Sequence, residues 1–312
     1  MANNAKFPKI SVIIATYNRA NLIENSAESI LNQTMHDFEL IIINDGSTDN
    51  TQQVLVELEK KDSRIKIFAN EKNLGNGRTR NIALEIAAGE YIAMLGDDDV
   101  SLPERLEIQS KYLDENPEVS LIFSTYFKAD NNLSILDVEP KDVINGGFPE
   151  DPSEIFRQLY LDRCDIVDSA CMFRREILKE VDGYGTTSTG TDRAFFLKVA
   201  AKGFKIRPIL QPLIVVRSSG NYKKHLQAKR KLVYKNKVKV VRITKAWLSE
   251  KNISQFDHLH SIALSNALAR YARSVGGIRG LFITLQAILT DPKNKFAQET
   301  FVWFFEKIKK KF

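Results

Sequence analysis

An apolar run, Glu90-Tyr91-Ile92-Ala93-Met94-Leu95-Gly96, ends abruptly in three carboxylates, Asp97, Asp98 and Asp99. Like charges packed at the end of a buried strand resist ionisation and repel unless a cation or donor groups compensate. A divalent metal held at that strand end is the simplest compensation, and it points towards phosphate chemistry. Two other strand ends carry comparable chemistry. Thr16-Tyr17-Asn18-Arg19 offers an aromatic ring, and Asn44-Asp45-Gly46-Ser47 offers a carboxylate beside a glycine suited to a tight turn. In open α/β sheets ligands bind beyond the carboxyl ends of the strands, where such loops converge. Together they would supply a stacking surface for a base, an acceptor for a base N–H and a metal–diphosphate site.

The elements that must position these loops follow from the periodicity. Lys9 to Ala15 is a continuous β-branched run, predicting a strand buried on both faces. Apolar residues at helical spacing predict a helix over Asn21 to Asn32. A second strand is expected at Phe38 to Ile43, then a helix capped by Ser47 or Thr48 and running to Leu58, with Asp49 in its first turn. Ile65 to Ala69, Thr79 to Ala88 and Tyr91 to Leu95 continue as strand, helix, strand, and a helix over Pro103 to Asn116 precedes a strand over Ser120 to Phe127. Strands alternating with helices predict a mostly parallel sheet flanked by helices. Ala129 to Ser153, with Gly146-Gly147, prolines and acids, reads as a loop or flap. Short elements follow at Ala170 to Phe173, Thr191 to Ala201, Lys205 to Ile209 and Leu213 to Arg217. Beyond Asn221 helical spacing covers Lys223 to Ser249, Gln255 to Val275, Arg279 to Thr290 and a last segment from Lys295. The expected division is therefore 1–220 and a helical region, 221–312.

Composition bounds the classes. The 312 residues are 43% hydrophobic and 27% charged, as in an ordinary globular protein. The net charge of +6 suits acidic partners without choosing among nucleotides, nucleic acid and anionic lipid. Cys164 and Cys171 form no CxxC pair and predict reduced core thiols in a cytosolic protein. No secretion signal and no span of roughly 20 apolar residues is present, so the reading is soluble or peripheral, at the inner face of the cell membrane if peripheral.

Five segments together resemble glycosyltransferase family 2: Val12 to Arg19, Asn44 to Asp49, Asn73-Leu74-Gly75 with Thr79-Arg80-Asn81, Gly89 to Ile92, and the acidic cluster followed by Pro103. Each is weak alone; five in order, each in its strand–loop context, are specific. The resemblance spans residues 8 to 220. It implies the nucleotide-diphospho-sugar transferase (GT-A) fold with a C-terminal helical extension, and transfer with inversion from a nucleotide-diphosphate sugar, UDP-linked by expectation, to a glycan or lipid-linked acceptor. It further implies that Thr16, Tyr17 and Asn18 line the nucleotide, that Asp45 accepts the base N–H, and that Arg80 lies near the nucleotide. The metal motif departs from the common Asp-x-Asp, because position 96 is glycine. On the alternative two-aspartate pattern Asp97 contacts the ribose and Asp98 ligates Mn²⁺ or Mg²⁺, with Asp99 assisting or capping the next helix.

Inversion needs a base beside the acceptor hydroxyl. Thr189-Gly190-Thr191-Asp192-Arg193, before Ala194 to Ala201, resembles the family's base segment with threonine replacing its glutamate, so Asp192 is the expected base. A helix-capping aspartate is the structural alternative. A histidine that the family often carries near positions 218 to 220 is replaced by Ser218-Ser219-Gly220, with His225 the nearest substitute. These departures leave a non-catalytic nucleotide-sugar binder as the second class, opposed by the retention of Asp45, Asp97, Asp98 and Asp192. A nucleotidyltransferase is excluded by the absence of a Gly-rich, Lys-bearing loop after the first strand. Arg80 at the third glycine position makes a dinucleotide fingerprint superficial.

Two features concern partners. The lysines between Lys223 and Lys239 read as a solvated helix face, and without an RNA-recognition aromatic pattern nucleic acid is not expected. In the tail, Phe301, Phe304, Phe305, Ile308 and Phe312 fall on one helical face beside lysines. That is the composition of an interfacial membrane helix, or of a helix docked on its own domain or on a second subunit.

Overall fold

The first strand, β1 (Ile10–Thr16), is buried over nearly its whole length, as a strand covered by helices on both faces must be. The computed structural model describes residues 7–186, 190–218 and 220–309. β1 pairs in parallel with β2 (Phe38–Asn44) on one side and β4 (Tyr91–Met94) on the other, and β2 pairs in parallel with β3 (Ile65–Ala69). Three helices make the crossovers: α1 (Ile23–Leu31), α2 (Thr51–Lys61) and α3 (Asn76–Ile86).

Past β4 the sheet changes character. Its remaining strands are β5 (Val100–Ser101), β6 (Val119–Ala129), β7 (Ile135–Glu139), β8 (Cys171–Arg174) and β9 (Lys205–Arg217). The order is β3-β2-β1-β4-β8-β6-β9-β5, with β7 paired to β6. β8 is antiparallel to both its neighbours, and only β6 and β9 run parallel in this half. The expected parallel sheet is thus its first half. The stretch 129–153, expected as a loop, folds as the β6–β7 hairpin and a short helix, α5 (Lys141–Ile144). The two strands expected at 205–209 and 213–217 are one. Its pairing with β6 skips from Ile209 to Pro212, next to two prolines that cannot donate to the ladder.

Alternate residues of the strands face opposite ways and build two cores. Val12, Ile14, Leu40 and Ile42 join α1, α2 and α4 (Arg105–Glu115). Ile13, Ile41 and Ile43 join α3, α6 (Pro152–Tyr160) and α7 (Thr191–Ala201). The second core continues without a break into α8 (Gly220–Glu250), α9 (Asp257–Val275), α10 (Gly277–Thr290) and α11 (Lys295–Lys309) through Val238, Trp247, Leu259, Ala287 and Ala297. The tail helix α11 docks on its own chain: Phe304 is buried with its ring against Gly280 of α10, while Phe305 stays half exposed. Ile308 has no described side chain and Phe312 lies outside the described residues. No helix among the described residues is long and apolar enough to cross a membrane.

Candidate active site

Because β2, β1 and β4 are adjacent and parallel, the loops that leave their C-terminal ends lie side by side. Cross-links fix two of them. The backbone N–H of Asn18, a residue held at φ +55°, donates to the Ser47 hydroxyl at 2.9 Å, and Thr48 N–H donates to Asn18 Oδ1 at 2.8 Å. These contacts explain why neither Ser47 nor Thr48 caps α2 as expected. Asp49 instead accepts from the Thr51 amide at 3.0 Å and from its hydroxyl, so the helix starts at Thr51.

Asp45 is buried, and its carboxylate accepts from Asn70 Nδ2 at 2.9 Å, Leu74 N–H at 2.8 Å and Gly75 N–H at 2.9 Å. Those contacts pin the 70–75 loop, and Gly75 at φ +88° turns the chain into α3, which begins at Asn76 rather than at the expected Thr79. A carboxylate has about four lone-pair sites, so one acceptor position on Asp45 remains for a ligand N–H. Thr16 is buried below it. Tyr17 is 41% exposed, leaving ring surface open.

The acidic triplet divides. Asp99 points inward: its side chain is buried, accepts from Arg217 N–H at 3.1 Å and from the Ser169 hydroxyl, and does not cap α4. Burial first, then the Asp98 charge, pushes its carboxyl up to about 7. Asp97 and Asp98 remain partly exposed. Burial and Asp98 also raise the Asp97 carboxyl, against Arg19, whose Nε lies 3.5 Å away, the nearby Thr16 hydroxyl and the Tyr17 amide. The Asp98 main-chain carbonyl accepts from Arg217 Nε at 3.0 Å. Among the described residues no group of three or more His, Cys, Asp or Glu could hold a metal ion. The partly exposed Asp98 carboxylate is the kind of oxygen donor a hard cation takes, and a cation there would draw its other ligands from phosphates and water.

Gly96 explains the missing first acid of the motif. A Cβ there would lie 2.5 Å from Asp99 Oδ2 and 3.0 Å from Ser169 Oγ. Gly96→Asp, which restores the common spacing, is expected to cost stability by about 2 kcal/mol through overpacking and to weaken donor binding. Urea denaturation checks it; an unchanged midpoint would show that Asp99 is free to move.

On the facing side, Arg80 reaches from α3. Its Nη2 lies 3.0 Å from Asp168 Oδ2 without aligning as a hydrogen bond, and its guanidinium sits 5.1 Å from the Tyr184 ring centre. Burial opposes the Arg80 charge, but Asp168 foremost, then Tyr184, Asp192 and Asp97, overcome it and raise its pKa. The Tyr184 hydroxyl donates to Asp168 Oδ1 at 2.7 Å. Burial raises the Asp168 carboxyl, Arg80 opposes, and Asp192 adds to the rise. The close approach of these segments requires Gly77, since a Cβ there would meet Gly185 O at 1.9 Å.

Asp192 is the second residue of α7. It does not cap the helix: Gly190 at φ +74° holds that position, and Asp192 Oδ1 accepts from the next residue's N–H at 2.8 Å. Asp97, just past β4, and Asp192, at the start of α7, both act on the Arg80 charge. The start of α7 is anchored from behind by Asp162, which receives Arg193 at 3.1 Å, Lys237 at 2.7 Å and Arg270. Lys237, expected on a solvated face, is instead an ion-pair partner linking α8 to this loop. Thr189 and Ser219 lie outside the described residues, as does the side chain of His225.

The sequence reading missed Asp168, Tyr184, Ser169 and Arg217. The only cue for the first two was a tyrosine between two glycines, Gly183 and Gly185, in a segment without periodicity. It placed Arg80 near a nucleotide; the structure gives its guanidinium to Asp168 and Tyr184.

With this geometry in hand, residues 11–182 match the family model described as glycosyl transferase family 2. The chain is 35% identical over 213 residues to an uncharacterized glycosyltransferase of Methanocaldococcus jannaschii, covering 67% of this chain and 71% of that protein. It is 33% identical over 198 residues to the UDP-Glc:alpha-D-GlcNAc-diphosphoundecaprenol beta-1,3-glucosyltransferase WfaP of Escherichia coli, covering 64% and 72%. Against several other curated glycosyltransferases the match spans under two fifths of the relative's length. Staphylococcus aureus TarS in complex with UDP-GlcNAc superposes with TM-score 0.60 over 95% of this chain and 89% of that one, at 19% identity. The mannosyltransferase PcManGT of Pyrobaculum calidifontis, in complex with GDP-Man and Mn²⁺, superposes with TM-score 0.57 over 95% and 84%, at 18% identity. These likenesses show the GT-A fold: a mixed sheet flanked by helices.

Proposed function

The chain belongs to glycosyl transferase family 2, and from that premise we propose that it moves a sugar, with inversion, from a nucleotide-diphosphate donor to a hydroxyl of a lipid-linked glycan acceptor. In this reading 1–220 carries donor binding and catalysis, and 221–312 is a helical extension. Tyr17 stacks on the base, Asp45 takes the base N–H on its remaining acceptor position, and Thr16 and Asn18 complete that wall. Asp97 meets the ribose, and Asp98 would hold Mn²⁺ or Mg²⁺. When bound, the cation would offset charge on the leaving group.

Asp192 takes the proton of the acceptor hydroxyl as its oxygen bonds to the anomeric carbon. The bond from that carbon to the diphosphate oxygen breaks on the opposite face, and the nucleoside diphosphate leaves with the electron pair. The transition state is oxocarbenium-like, so a base on one face and charge compensation on the other are what the reaction requires. What supports this reading is that Asp97 and Asp192 both act on the charge of Arg80, itself 3.0 Å from Asp168.

A UDP-linked donor and a polyprenyl-diphosphate acceptor are supported by what WfaP is named for, and such an acceptor is consistent with work at a membrane surface. A thermal-shift panel of UDP-, GDP- and dTDP-sugars with Mn²⁺ tests the donor. A ligand at about 100 times its Kd adds about 2.7 kcal/mol to the folded state, so the cognate UDP-sugar is expected to raise the melting temperature by a few degrees. A shift with GDP-sugars alone would reassign the base pocket, and no shift with any donor would overturn the reading.

A further inference from the structure

Helix α10 has apolar residues on two faces. Its buried residues are small (Gly280, Thr284 and Ala287) and Ile283 and Ile288 pack against the core beside them, while four further large apolar residues face away. Ile278 is 71% exposed, Phe282 67% and Leu289 82%, with Leu285 between them at 39%. The spacing of four, three and four residues makes one continuous stripe along the helix. Val302 and Phe305 of α11 are also exposed. Between Gly277 and Thr290 the only charged residue is Arg279. Exposed apolar stripes of this extent mark interaction surfaces.

The charges nearby identify the partner. Arg279, Lys293, Lys295 and Lys307 are exposed around the stripe, and from residue 277 onward there are seven Lys or Arg against three Asp or Glu. A twofold contact between copies would set this positive rim against itself. An anionic bilayer is complementary to it: apolar side chains enter the acyl boundary while lysines meet the headgroups.

We propose that the outward face of α10, with the adjoining α11 residues Val302 and Phe305, lies on an anionic lipid surface. This centres the membrane contact that composition suggests for the tail on the preceding helix, since Phe304 of α11 is buried while Val302 and Phe305 stay exposed. The inference deepens the reading of a lipid-linked acceptor but does not depend on it, because docking needs neither donor nor acceptor.

The test is co-sedimentation of the full chain with vesicles of phosphatidylcholine and phosphatidylglycerol in equal parts, and with phosphatidylcholine alone. The parent protein is expected to sediment with the anionic vesicles and weakly with the neutral ones. Phe282→Ser with Leu289→Ser, both at exposed positions, is expected to reduce anionic partitioning by about tenfold or more, with an unchanged melting temperature and donor shift. Lys293→Glu with Lys295→Glu should lower it with the apolar stripe intact. Sedimentation that survives the serine variant overturns the proposal, and so does a parent that fails to sediment. A parent dimer in analytical ultracentrifugation that the serine variant converts to monomer, with vesicle binding unaltered, overturns it in favour of a second copy. Loss of donor shift in the parent would count against the enzymatic reading alone.

Discussion

Asp192→Asn is expected to lower sugar transfer by about a thousandfold or more, within the range of roughly 10² to 10⁴ for a positioned general base, while donor affinity stays near that of the parent. The substitution keeps the shape and the acceptor oxygen that receives the Arg193 N–H at 2.8 Å, so the start of α7 should not move. What is lost is the capacity to hold a proton. Removing the charge also relieves Asp168, whose carboxyl is raised partly by Asp192, and Arg80 retains Asp168 as its closest counter-ion. The Arg80–Asp168 pair is therefore expected to keep its geometry. Single-turnover transfer to an acceptor, beside calorimetric donor binding, separates the two effects. Parent-like transfer would remove Asp192 as the base, leaving Asp165 and Asp168 as the carboxylates nearest it. Loss of donor binding together with transfer would instead make Asp192 a structural residue of the donor pocket.

How far the sequence led depended on whether local pattern or distant packing decided the outcome. β1, β2 and β4 were legible because their buried runs are long and uninterrupted, and the chemistry at their ends follows from where open sheets bind ligands. Asp45, Tyr17 and the acidic triplet were found in this way. The antiparallel half of the sheet was not, since β8 is four residues long and its direction is set by contact with β4 and β6 rather than by its own composition. Helix starts went astray wherever a capping candidate was recruited by another loop: Ser47 and Thr48 serve Asn18, which no single-segment pattern announces. The differing fates of Asp97, Asp98 and Asp99 were equally hidden. Identical side chains in a row carry no signal of which one turns inward, and only the packing of Ser169 and Arg217 decides it. Gly96 read as a departure from a motif; in three dimensions it is the space that Asp99 occupies.

Asp98→Ala is expected to remove the metal dependence of donor binding and to weaken it by about 100-fold in the presence of Mn²⁺, or about 2.8 kcal/mol at 1.4 kcal/mol per factor of ten. The size of the effect follows from how little else is available. Asp99 is engaged in the interior, Asp97 is matched to Arg19, and no second cluster of ligating side chains occurs among the described residues. A site with so few protein ligands is completed by the donor's own phosphates, so cation and donor should bind together or not at all. In the parent, donor affinity measured by calorimetry should climb with Mn²⁺ concentration; in the variant the two titrations should coincide. The variant should remain folded, because Asp98 lends only its main-chain carbonyl to Arg217, and alanine keeps that group. The expected contrast with Asp192→Asn is clear: one substitution weakens donor binding and spares the base, the other lowers transfer and spares donor binding. Equal donor affinity for Asp98→Ala and the parent, with and without Mn²⁺, would mean that the carboxylates at the end of β4 do not hold the cation.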